Sequence, residues 1–167
     1  MAVEYSGASR EAAQEIADAL RQLDDVLAAG NFDVTAADDL AALRARVRRG
    51  LVSVRTDLQA LGQIDADDVF KTNPVFATQR YQIITSIEQT RIDFEFEVVP
   101  ALQKFARQNL DRAKQHSSSD GVDGWTPRAV LESAERLVDD STRAVSVVSK
   151  ATALIRAFML LAGLAPI

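Results

Sequence analysis

Four stretches of the chain repeat apolar residues at helical intervals, and none alternates in the manner of a strand. Ile16, Leu20, Leu23 and Leu27 step by four, three and four residues, drawing one apolar stripe on a helix over 9–29. Ser9 is placed to cap its first amides, Glu11 and Glu15 sit where the helix dipole favours carboxylates, and Gly30-Asn31 offers a left-handed stop. Leu40, Leu43, Val47, Leu51, Val54, Leu58 and Leu61 give a second helix over 35–61. It is opened by Thr35, with Asp38 as an acidic capping partner, and closed by Gly62. Gly50 falls mid-helix, where it costs about 1 kcal/mol relative to Ala, and so points to a close helix crossing.

Residues 63–72 read as a connector with a helical turn at 67–70. Asn73-Pro74 then marks a strong start, because Asn caps and proline at the first helical position loses no needed hydrogen bond. Phe76, Ile83, Ile87, Phe94 and Val98 form the stripe of a third helix over 74–115, which resumes at Leu102, Phe105 and Leu110. Pro100 lies inside it, so a kink or break is expected between Phe96 and Pro100. Residues 116–125, rich in Ser, Asp and Gly, read as a flexible loop. Thr126-Pro127 repeats the cap-plus-proline signal. A fourth helix over 127–162 follows through Leu131, Ala134, Leu137, Ser141, Ala144, Val148, Ala151, Ile155 and Phe158, with Gly163 as its stop.

The fold class is therefore all-α, a single domain over 1–167, expected as an antiparallel up-down four-helix bundle. At 1.5 Å per residue the first two helices reach roughly 30 and 40 Å, the third and fourth roughly 60 and 55 Å. Residues 101–141 should then project beyond the short pair as a hairpin tilted at Pro100.

Composition narrows the function classes. The chain is 47% hydrophobic and 26% charged with a net charge of -5, which excludes wholesale disorder and disfavours nucleic acid as a partner. There is no Cys and one His, so Cys-based metal sites, thiol catalysis and any centre of two imidazoles are excluded. The start of the chain has no signal-peptide pattern, and no run of 18 apolar residues exists, so cytoplasmic residence is expected. The few lysines (71, 104, 114 and 150) against many arginines are associated with GC-rich bacterial genomes.

Candidate chemistry is sparse. His116, Ser117, Ser118, Ser119 and Asp120 assemble triad residue types, but five neighbours in one loop cannot supply the geometry. No phosphate-binding glycine loop is present, and the acids Glu88, Asp93, Glu95 and Glu97 read as a solvated face. No enzyme activity, cofactor or metal is expected. Arg44, Arg48 and Arg55 share one side of the second helix, where they would meet an anion or acidic partner, or pair with Asp24, Asp25, Asp38, Asp39 or the acidic third helix. Arg80, Tyr81 and Arg91 are the residues a small-molecule pocket would use, although such a ligand is not expected.

The C-terminal stretch is apolar all round: Leu154, Ile155, Phe158, Met159, Leu160, Leu161 and Leu164 encircle the helix. Something must bury it, either the chain itself or a partner. With Phe105 and Trp125 of the expected hairpin, Leu154, Phe158, Met159 and Leu161 are the candidate partner-binding residues. The function expected from this pattern is a non-enzymatic protein-protein interaction or oligomerisation module, its partner another protein or a second copy. The alternative is a membrane-active bundle of a toxin or defence effector, which would insert the apolar C-terminal helix into a membrane interface.

Overall fold

The computed structural model describes residues 6–29, 32, 37–66, 73–117 and 127–164, and every element among them is helical. Five helices run up and down: α1 (Ser6–Ala29), α2 (Ala37–Ala66), a long α3, α4 (Pro127–Arg143) and α5 (Val147–Leu164). α3 consists of an N-terminal arm (Pro74–Asp93), a π turn (Phe94–Val98) and a C-terminal arm (Val99–Ser117). No described helix is long and apolar enough to cross a membrane.

α1 shows how the apolar stripe becomes a core. Ile16, Leu20, Leu23 and Leu27 are all buried, against Val47, Leu51 and Val54 among others in one cluster. The helix begins at Ser6, so Ser9 lies inside it and is not its cap. Gly30-Asn31 and Thr35 lie outside the described residues. α2 runs through Gly62 to Ala66, which overturns the stop expected there. The extra turn has a use: it carries Asp65 to Arg80 at 2.9 Å and Arg10 at 3.7 Å, two ion pairs that a helix ending at Leu61 would forgo. The 67–70 turn lies outside the described residues.

Asn73 caps α3 as its sequence implies, its side-chain oxygen accepting from the Val75 amide at 3.1 Å, with Pro74 in the first turn. At Pro100 the helix does not break. The amide of Val99 donates to the carbonyl of Phe94, five residues back, and the widened turn eases the clash between a proline ring and the carbonyl four residues earlier. Phe94, Val98 and Val99 are all buried, so the inward stripe passes through the widened turn into the C-terminal arm.

The largest departure lies at the C-terminus. The continuous fourth helix is two helices folded back on each other around a bend at 144–146. Ser146 starts the second of them, its hydroxyl oxygen accepting from the Ser149 amide at 3.1 Å. The four-rod arrangement with two long members is therefore replaced by one long rod, α3, and a C-terminal hairpin. α4 runs antiparallel to the C-terminal arm, as shown by Gln103 to Ser141 (3.1 Å), Arg107 to Asp139 (3.2 Å) and Lys114 to Glu135 (3.0 Å). α5 packs between that arm, α4 and α1. The described parts of 101–141 are consequently flanked by α5 and do not stand as a bare projection. Phe32, just beyond α1, meets Phe105 and Phe158 edge-on at ring distances of 5.5 and 5.7 Å, so the first hairpin ends level with Phe105.

Candidate interaction surface

The residues singled out as partner-binding are mostly internal. Phe105, Leu154, Phe158 and Leu161 are buried within this chain, because α5 has neighbours on three sides. Only Met159 of that set remains exposed, and Trp125 lies outside the described residues. Most of the apolar surface of α5 is thus covered by α1, the C-terminal arm of α3 and α4, with Met159 left out.

Exposed apolar side chains are found elsewhere. Val52 on α2 (65% exposed), Val75 (61%) and Tyr81 (68%) on the N-terminal arm, and Phe96 (68%) in the π turn all face solvent. The N-terminal arm buries only Ile84 and Ile87, so much of its apolar surface has no cover in the chain.

α2 and this arm pack as an antiparallel pair with a well-defined register. The hydroxyls of Ser53 and Thr90 are 3.3 Å apart, and the Ser86 hydroxyl donates to Asp57 at 2.6 Å. Counted from these two contacts, Arg49 falls within one residue of the level of Asp93, and Arg46 falls near that of Glu97 in the π turn. Beyond the π turn, which adds one residue to this count, Ala42, Arg46 and Ala101 line one small hollow of about 200 Å³, and Glu97 precedes Ala101 by four positions. On the outer side of the pair lies an open groove of about 470 Å³, with Ala60, Ile64, Phe76 and Ile83 as its apolar lining and Gln63, Gln79 and Gln82 as its polar rim.

Helical spacing decides which other side chains share this face. Asp93 follows the groove residue Ser86 by seven positions and Gln82 by eleven; Val75 precedes Gln82 by seven. Val52 precedes Gln63 by eleven positions, and Arg49 precedes Ala60 by eleven. One continuous face therefore carries the groove, Val52 and Val75, with arginines on its α2 side and carboxylates on its α3 side.

The arginine cluster divides by function. Arg48 and Arg44 reach Asp24 of α1 at 3.0 and 4.0 Å, so these two are drawn into ion pairs within the chain. Arg46, Arg49 and Arg55 are exposed and make no ion pair among the described residues. Glu95 is different from its acidic neighbours: it pairs with Arg91 at 2.9 Å and Lys150 at 3.8 Å, tying the π turn to α5. The hydrogen bond from Arg91 to Glu88, together with the charges of Glu88 and Glu95, raises the guanidinium above its ordinary range. Asp93 and Glu97 remain exposed and outside any ion pair among the described residues.

No family model, curated protein or solved structure matches this chain, so its surface is read from its own geometry. Arg80, Tyr81 and Arg91 do not form a common pocket. Arg80 is held by Asp65, Arg91 by Glu88 and Glu95, and Tyr81 points to solvent; none of them lines the groove. Buried Ser141 accepts from Gln103 and donates to the Val138 carbonyl, which satisfies it between two helices and fixes their register. Among the described residues no group of three or more His, Cys, Asp or Glu is placed to hold a metal ion.

Sequence reasoning set Val75 against the C-terminal helix, whereas the structure leaves Val75 exposed, and it overlooked Val52 and Phe96. Their signal was an apolar residue off the stripe: Val52 among arginines and Phe96 between two glutamates.

Proposed function

We propose that this chain is a non-enzymatic helical interaction module whose working surface is the outer face of α2 and the N-terminal arm of α3. One observation carries the reading. The most apolar helix, α5, is covered within the chain apart from Met159, while Val52 and Val75 stay exposed on the face that holds an open groove with an apolar lining. Scattered exposed aliphatics are ordinary, but aliphatics at both ends of an apolar hollow on a pair of helices suit burial by further helices. The membrane-active alternative is less well supported, since α5 would first have to leave α1, the C-terminal arm of α3 and α4.

A photo-crosslinking amino acid at Val52 or Val75, with Met159 as the comparison position, tests this in the native host. Adducts at the first two positions are expected. Their absence, or adducts confined to Met159, would overturn the assignment of this face.

A further inference from the structure

On the reading that this face is the working surface, we infer that its occupant is a second copy of the same chain, docked about a two-fold axis parallel to α2 and α3. The charge pattern of the face requires no other partner. Its α2 side carries Arg46 and Arg49, its α3 side carries Asp93 and Glu97, and none of the four makes an ion pair among the described residues. Within the chain the two sides lie at similar heights, near the register set by Ser53 with Thr90 and Asp57 with Ser86.

A two-fold rotation about an axis along the helices preserves height and exchanges left for right. It lays α2 of one copy over α3 of the other, antiparallel, and sets Arg46 and Arg49 opposite Glu97 and Asp93 twice over. Such an isologous arrangement is self-complementary, as a closed dimer requires. An axis running across the helices would lay α2 on α2 and bring arginine toward arginine. The charges therefore select one axis. The same docking faces groove against groove, covering Val52, Val75 and the apolar lining in both copies.

Sedimentation equilibrium of the full chain is expected to give twice 18.2 kDa. The dimer dissociation constant should rise about tenfold or more as screening tightens from about 0.1 to 0.5 M NaCl. Two charge-reversed chains decide the geometry. Arg46→Glu with Arg49→Glu makes both sides of the face acidic; Asp93→Arg with Glu97→Arg makes both sides basic. Each should be monomeric alone with its helical circular dichroism intact, and an equimolar mixture should recover the dimer mass. A wild-type monomer at all concentrations, reversed chains that still dimerise, or a mixture that stays monomeric would each overturn the inference.

If a reversed chain fails to fold, single-cysteine chains take its place, since the protein has no cysteine of its own. Arg46→Cys mixed with Glu97→Cys should oxidise mainly to the mixed disulfide dimer, and a statistical mixture or none overturns the docking. Crosslinked adducts at Val52 of a mass other than a dimer would keep the interaction module and remove the second copy as its occupant.

Discussion

Phe158 is fully buried and its ring touches both Phe32 and Phe105, so three separate parts of the chain meet in one aromatic cluster. Phe158→Ala should cost about 3–5 kcal/mol, read as a lowered urea midpoint, because the cavity is walled by rings held in three different elements. Gly50 offers the opposite case. A methyl group there would meet Leu20 at 3.5 Å and Thr90 at 3.9 Å, which is ordinary contact. The crossing that its sequence position suggests is real but leaves room for alanine. Gly50→Ala should therefore raise the urea midpoint by about 1 kcal/mol of helix propensity, with no structural change. At this scale the sequence is legible where a residue belongs to a stripe, as Phe105 and Phe158 do. It is silent on Phe32, a lone ring outside any periodic segment whose burial depends on helices far along the chain.

The bend at 144–146 is the element that periodicity concealed. Ser141, Ala144, Val148 and Ala151 keep helical spacing straight across it, and neither Gly nor Pro marks the reversal. What marks the new start is local hydrogen bonding: the hydroxyl of Ser146 accepts from the Ser149 amide and caps the helix that follows. Ser146→Ala should lower stability by about 1 kcal/mol in chemical denaturation, the usual value of such a cap. The π turn shows the converse. Pro100 announced an interruption, and the chain absorbs it by widening one turn, so that both arms of α3 keep an inward stripe. A proline warns that the ladder of hydrogen bonds must change. Which change occurs depends on the neighbours that hold both arms in place.

Across the whole molecule burial is uneven. α5 is covered on three sides, whereas the N-terminal arm of α3 buries only Ile84 and Ile87. Native-state hydrogen exchange should find the amides around Leu154 to Phe158 among the slowest, and those of Tyr81 to Glu88 faster. Raising the protein concentration should slow the latter group selectively if a second copy covers them. The all-helical class was readable from spacing alone. The working face was not, because it arises where α2 and α3 lie side by side, and their mutual register is set by Ser53, Asp57, Ser86 and Thr90, which no periodicity reveals.

The ring of Phe32 has a further consequence, for synthesis. Its partner Phe158 is made more than a hundred residues later. At about 5–20 residues per second the emerging chain must wait several seconds or longer before that pocket can close. During this interval α1 and α2 present an unsealed greasy flank, so newly made chains are most vulnerable to clumping just before α5 leaves the ribosome.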